Sequence, residues 1–156
     1  MDEKKLLKYA VDYLSKYDSS KVNLVNVLKR KILRLKTTNY EKRKLINIIE
    51  SIIIKLEKNK FIDDNRYSSI KILSLSNIGK SKNFIFNYLI KKGVDKFKIN
   101  ENLNFIDQDN NDWELESAKV FVKKKKLLEK NESYEKKLAK MARAGFSYDI
   151  CKKILS

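Results

Sequence analysis

Few residues of this chain could do chemistry, and histidine, the commonest general base and metal ligand, is absent. The adjacent Asp63 and Asp64 are the best candidates for a carboxylate site. Neighbouring residues on a helix point about 100° apart, and no histidine or third carboxylate lies nearby in sequence to complete a metal or acid–base site. One of the two aspartates is therefore predicted to be the N-cap of the next helix, as aspartate often is.

Two further motifs are similar to catalytic or nucleotide sites without completing them. Cys151 is the only cysteine, so no disulfide or cysteine zinc site is possible within one chain, and its position near Ile150 and Ile154 indicates a core residue. Gly79-Lys80-Ser81 is similar to the end of a phosphate-binding loop, but Ser74 stands where that motif needs its first glycine. The chain is predicted to have no catalytic residue, no metal and no cofactor.

Basic residues are the one positive signal for function. The chain has 36 Lys+Arg against 20 Asp+Glu, a formal net charge of +16, and most of the excess falls in its first and last thirds. A positive field favours nucleic acid or an acidic protein partner, whereas the alternative is that the lysines coat solvated helix faces. The candidates for facing a partner or DNA are Lys29, Arg30, Arg34, Arg43, Arg66, Lys91, Lys92, Lys123, Lys124 and Arg143.

Amphipathic helices must position these cations, because the chain has no proline, three glycines and apolar residues at helical spacing. Clear stripes run from Leu6 to Tyr17 and from Ile49 to Leu56, the second inside a helix over about 40–59. No period-2 stretch competes with them, so an all-α fold of about nine helices is predicted. No segment approaches 18 uninterrupted apolar residues and no signal peptide is visible, so a cytoplasmic protein without a membrane partner is expected.

An internal repeat begins at Ser20, Ser81 and Ser133, each a predicted helix N-cap. Twelve residues later stand Gly93 and Gly145 in the second and third copies, where glycine is expected to end the helix in the left-handed conformation. In the first copy that position holds isoleucine. Five residues after the serine, the three copies hold Val25, Phe86 and Leu138. Eight residues after it, they hold Leu28, Leu89 and Met141. Ten residues after it stands a cation in every copy: Arg30, Lys91 and Arg143.

A second pattern suggests where the repeats divide. Phe61-Ile62-Asp63 and Phe105-Ile106-Asp107 are predicted to end helices, and new helices are expected over 64–75 and 113–128. Three helical repeats follow, over 1–62, 63–110 and 111–156. Units of this size seldom bury their apolar faces alone, so a stacked array is expected.

Four segments occur in the order and spacing of a known family: FIDDNRYS (61–68), IGKS (78–81), LIKKGV (89–94) and KLAKMARAGFS (137–147). The chain resembles the RecX family of bacterial recombination regulators over essentially its whole length. It departs from the family pattern at Ser68, where alanine is usual, and at Ile32, where glycine is usual.

The resemblance implies a regulator without catalytic activity that binds the RecA filament on single-stranded DNA. Such a regulator modulates, and usually inhibits, strand exchange and the other RecA activities, including ATP hydrolysis. The resemblance also implies three tandem three-helix repeats stacked into an elongated, curved array, and no small-molecule substrate. The alternative is a helix-turn-helix protein that binds nucleic acid directly, since three helices joined by a glycine turn also describe that motif.

Overall fold

Serine, threonine and aspartate side chains begin many of the helices, as the sequence predicts. The Ser20 and Ser133 hydroxyls accept hydrogen bonds from the backbone N–H three residues on, and so does Ser81. The computed structural model describes residues Met1–Ser156 as ten α-helices with no β-strand, which confirms the all-α prediction. The helices are α1 Glu3–Lys16, α2 Lys21–Leu33, α3 Asn39–Asn47, α4 Ile49–Lys58, α5 Asp64–Asn77, α6 Lys82–Lys91, α7 Lys96–Asp109, α8 Trp113–Lys124, α9 Tyr134–Arg143 and α10 Tyr148–Leu155.

The long helix predicted over about 40–59 is interrupted once. Ile48 lies between α3 and α4 with φ −91° and ψ −7°, and its N–H donates to the carbonyl of Leu45 at 3.2 Å. This hydrogen bond spans three residues instead of four, so it forms a 3-10 turn where a continuous α-helix is predicted. Helices α3 and α4 therefore occupy the place of one predicted helix, and the count is ten instead of about nine.

Helix α8 ends four residues earlier than the prediction of 113–128. Lys126 has a left-handed φ of 51°, and the N–H of Leu127 donates to the carbonyl of Val122 at 2.9 Å. This six-to-one hydrogen bond ends a helix, and glycine is the usual residue at its left-handed position. Leu127 is fully buried, so its burial turns the chain back although the sequence has only lysine there.

The segment Phe105-Ile106-Asp107 lies inside α7, so the prediction that it ends a helix is wrong. Its acidic residue serves a tertiary contact instead. The Asp107 carboxylate accepts hydrogen bonds from the Trp113 indole N–H at 2.6 Å and from the Lys82 ammonium at 2.7 Å. The similarity to Phe61-Ile62-Asp63, which does follow the end of α4, is one of sequence only.

Contacts divide the chain into two compact units: Met1–Tyr67 with Lys92–Val94, and Ser68–Lys91 with Asp95–Ser156. No helix in either unit is long and apolar enough to cross a bilayer. One apolar core of the second unit is built on Ala118, Val122, Leu127, Met141, Phe146 and Cys151. The core of the first unit is built on Leu6, Ala10, Leu24, Leu28, Ile32, Leu45, Ile49, Ile52, Ile53, Leu56 and Ile62.

The repeat register places equivalent residues in equivalent environments. Leu28, Leu89 and Met141, eight residues after each serine, are completely buried. The residues five positions after each serine, Val25, Phe86 and Leu138, are half-buried. The predicted register of the repeat therefore matches the burial of its apolar face.

Replacing the fully buried residues that lie eight positions after each serine is expected to destabilise the protein. Leu28→Ala, Leu89→Ala and Met141→Ala should each lower the free energy of unfolding by about 2–5 kcal/mol, because each removes a fully buried side chain. Leu33→Ala is the control, since Leu33 is exposed at the end of α2. Thermal or denaturant unfolding measures the effect, and three core variants as stable as the parent would show that the register is wrong.

Ser68, the departure from the usual alanine, has a buried hydroxyl without a hydrogen-bond partner. An unsatisfied buried polar group is destabilising, so Ser68→Ala is expected to raise the free energy of unfolding by about 1 kcal/mol. Ser117 is the matched control, because its buried hydroxyl donates to the carbonyl of Lys80 at 2.5 Å. Ser117→Ala should lower the stability in the same denaturation assay, and a loss of stability in both variants would contradict the prediction.

Candidate interaction surface

The N-cap serine of α2 has a second hydrogen bond that its capping role does not require. The Ser20 hydroxyl accepts from the backbone N–H of Asn23 at 3.2 Å and donates to the carbonyl of Lys92 at 2.5 Å. Ser20 is fully buried, and both groups lie in the first unit. One hydroxyl therefore caps a helix and holds the segment Lys92–Val94, which is 72 residues away in the chain.

The same arrangement recurs within the second unit at the next repeat serine. The Ser81 hydroxyl accepts from the N–H of Phe84 at 3.0 Å and donates to the carbonyl of Ala144 at 2.8 Å. Lys92 and Ala144 each stand immediately before one of the recurrent glycines. We call these two contacts, each a buried serine bound to the carbonyl before a glycine, the serine joints.

An acidic side chain completes each serine joint. The backbone N–H of Lys21 donates to the Asp64 carboxylate at 2.9 Å, and that of Lys82 donates to the Glu114 carboxylate at 2.8 Å. An acidic group is favourable at a helix N-terminus because it accepts from an unpaired N–H and interacts with the helix dipole. The carboxylate of Asp63 accepts from the N–H groups at the start of α5, which confirms that one of the two aspartates is an N-cap.

Glycine is required at both serine joints for a steric reason. Gly93 has φ +80°, and a Cβ atom on it would lie 2.5 Å from the Cβ of Val22. Gly145 has φ +96°, and its Cβ would lie 2.5 Å from the Ser81 hydroxyl oxygen. Ile32 has the corresponding position in the first repeat, but it lies within α2 and is fully buried in the core of the first unit.

The two motifs similar to active sites have structural roles. Gly79 has φ +92° directly after α5, and a Cβ on it would meet the backbone of Phe121 at 2.9 Å, so this glycine belongs to a helix joint. Cys151 is fully buried, and burial raises the pKa of its thiol, which disfavours the reactive thiolate. No group of three or more Cys, Asp or Glu residues is arranged to hold a metal ion.

Two of the candidate cations are engaged in contacts with loop carbonyls. The Arg66 guanidinium donates to the carbonyls of Lys60 and Phe61 at 3.2 and 3.4 Å, directly after α4. The Lys124 ammonium donates to the carbonyl of Ile78 at 3.1 Å, after α5. Both side chains therefore contact the backbone just beyond a helix end.

The remaining candidates differ in exposure and in the unit to which they belong. Lys92 is half-buried in the first unit. Lys123 is exposed on α8 of the second unit. The first unit exposes Lys29, Arg30, Arg34 and Arg43.

The structure brings Lys91 and Arg143 together. Both are exposed residues in the last turns of α6 and α9, and both line one groove of about 280 Å³ within the second unit. The repeat register pairs these two cations, whereas the aromatic and amide side chains beside them do not recur in every repeat. We call this site the Phe84 groove; its side chains are those of Asn83, Phe84, Asn87, Tyr88, Lys91 and Arg143.

Comparison with known proteins identifies relatives over most of the chain, although no protein-family model matches it. Regulatory protein RecX of Myxococcus xanthus is 30% identical over 154 residues, covering 94% of this chain and 81% of that protein. Regulatory protein RecX of Clostridioides difficile is 31% identical over 115 residues, or 70% of this chain. The match spans 53% of the Clostridioides protein, about half of its length.

The fold is shared with a solved member of the same family. The crystal structure of RecX from Lactobacillus salivarius superposes on this chain with a TM-score of 0.72 and 24% sequence identity. The match covers 97% of this chain and 93% of the Lactobacillus chain. The likeness in structure agrees with the likeness in sequence. Because the identity to the Myxococcus protein extends over nearly the whole chain, this protein belongs to the RecX family of regulatory proteins.

Proposed function

We propose that this protein binds the RecA filament on single-stranded DNA and inhibits its strand exchange and ATP hydrolysis. The observation that carries the proposal is the 30% identity to regulatory protein RecX of Myxococcus xanthus over 94% of the chain. In this proposal the protein acts by binding, in the cytoplasm during recombinational DNA repair, and needs no cofactor.

Charge supports a nucleoprotein partner. The formal net charge is +16, and exposed cations occur in both units. A filament of protein on DNA presents phosphates along its length, and a positive surface is attracted to it at long range when the salt concentration is low. The exposed residues Arg30, Lys91 and Arg143, which share one register position, are the first candidates for this contact.

The proposal is tested by comparing binding to the RecA filament with binding to DNA alone. Light scattering or pull-down with RecA, single-stranded DNA and a nonhydrolysable ATP analogue should show association that neither free RecA nor the DNA reproduces. The same titration with DNA duplexes of varied sequence tests the helix-turn-helix alternative. Tight, sequence-specific duplex binding combined with no association with the filament would overturn the proposal.

A further inference from the structure

The Phe84 groove combines three kinds of side chain, which are cations, aromatic rings and amides. Two cations, Lys91 and Arg143, line it, and no acidic residue does. Phe84 lies in the first turn of α6 and is 39% exposed. The volume of about 280 Å³ is just below the range of about 300–1,000 Å³ that is usual for ligand sites, so the groove has room for no more than one flat group with a short charged extension.

The aromatic side chains provide a surface against which a flat group can stack. The rings of Phe84 and Tyr88 have centroids 6.5 Å apart and planes inclined by 22°, so their faces are nearly parallel. The Lys80 ammonium lies 4.6 Å from the centroid of the Phe84 ring, so a cation outside the groove lining also lies close to this ring. Aromatic rings next to cations are the usual means by which proteins hold the bases and phosphates of single strands.

The amide side chains add groups that match a base edge. Asn83 and Asn87 each carry a hydrogen-bond donor and an acceptor. A nucleobase presents both kinds of group on the edge that is free only in a single strand. An acidic peptide would also be attracted to Lys91 and Arg143, but a nucleotide combines in one unit the phosphate that suits the two cations and the flat base that suits Phe84.

We propose that the Phe84 groove binds one nucleotide of single-stranded DNA, with a phosphate against Lys91 and Arg143 and a base against Phe84. The inference goes beyond the proposed function, because it assigns to this chain a nucleotide contact of its own that requires no RecA.

The repeat register makes the inference specific to one groove. Asn26 and Arg30 hold in the first repeat the positions that Asn87 and Lys91 hold in the second, but Asn23 stands at the position of Phe84. The third repeat has lysine, Lys136, at that position. Contact with a base is therefore assigned to the second repeat, whereas cations for phosphate contacts recur in all three repeats.

The experiment measures binding without RecA, using fluorescence anisotropy at low salt. The probes are a labelled oligothymidine and an abasic oligonucleotide of the same length, which has the phosphates but no bases. The parent should bind the oligothymidine more tightly than the abasic strand. Phe84→Leu should weaken oligothymidine binding by about fivefold or more, the effect of losing one stacked base, and leave abasic binding unchanged. Phe97→Leu is the control, because Phe97 is 73% exposed on α7 and lies outside the groove.

A second variant tests the phosphate contact. Lys91→Gln with Arg143→Gln should weaken the binding of both oligonucleotides and reduce the steepness of the salt dependence by about 1.4, the value for two single-strand phosphates. Circular dichroism and thermal unfolding confirm that each variant is folded. Equal binding of the two oligonucleotides by the parent, or no effect of Phe84→Leu, would overturn the inference.

The outcomes separate this inference from the proposed function. A protein that inhibits RecA but does not distinguish the two oligonucleotides would overturn the groove assignment alone. A protein that binds oligothymidine through Phe84 but leaves every RecA activity unchanged would overturn the proposed function alone.

Discussion

Gly93→Ala is expected to lower the free energy of unfolding by about 2–5 kcal/mol. The left-handed conformation, with φ +80°, costs a residue with a Cβ about 1–2 kcal/mol. The new Cβ would also lie 2.5–2.7 Å from three carbon atoms of Val22, and such overpacking typically costs about 1–3 kcal/mol. Because the Cβ of Val22 belongs to the first turn of α2, it cannot move away without the helix. Denaturant unfolding measures the loss.

A double-mutant cycle separates the two contributions. Val22→Gly removes the atoms that meet the new Cβ, and it costs little packing because Val22 is 45% exposed. Gly93→Ala should therefore cost less in the Val22→Gly background than in the parent, by the steric part alone. An equal cost in both backgrounds would contradict the close approach at this serine joint.

Charge reversal at Lys91 and Arg143 together is expected to raise the concentration needed for half-inhibition of RecA about tenfold or more at low salt. The reversal places two negative charges in a groove that would otherwise attract phosphate. Each reversal removes a favourable helix-end charge worth about 0.3–1 kcal/mol and adds an unfavourable one of similar size, so thermal unfolding is measured to show that the variant remains folded. The difference from the parent should shrink as salt rises, because screening already weakens binding of the parent.

The matched control has the same net charge elsewhere on the second unit. Lys96→Glu with Lys119→Glu also changes the formal charge from +16 to +12, and both lysines are exposed and outside the groove. This control should inhibit nearly as well as the parent in a strand-exchange assay at every salt concentration. Equal inhibition by parent, control and groove variant would show that Lys91 and Arg143 only coat a solvated surface.

Local sequence signals predicted the helices and the buried face of the repeat. A serine N-cap, apolar residues at helical spacing and a glycine at the end act within one or two turns, so they can be read from neighbouring residues. This is why Leu28, Leu89 and Met141 were correctly assigned to one buried position. The end of α8 was missed because a lysine, Lys126, has the left-handed conformation that normally indicates glycine.

The serine joints could not be predicted from local signals. Ser20 and Ser81 donate to carbonyls 72 and 63 residues away, and a backbone carbonyl has no sequence signature. Both acceptors stand just before the recurrent glycines, but the repeat register relates each glycine to the serine of its own repeat and gives no sign of the contact with the serine of the preceding repeat. The contact of the Asp64 carboxylate with the N–H of Lys21 could not be predicted either. In the sequence, an aspartate next to an N-cap residue cannot be distinguished from a second capping residue.

The sequence pattern selects only the two cations of the Phe84 groove. The register placed Lys91 and Arg143 at equivalent positions, and the structure brings them to one groove. Phe84, Asn83 and Asn87 have no counterparts of the same kind in every repeat, so periodicity alone gave no reason to select them. Their proximity to the cations depends on how α6 and α9 pack within the second unit.

The most direct test of the account is the rate of ATP hydrolysis by a bacterial RecA on single-stranded DNA, measured as this protein is added. Turnover is expected to fall progressively with added protein at low salt and to recover when the Lys91→Glu, Arg143→Glu variant replaces the parent. Turnover that stays constant at every concentration of the folded parent would contradict it.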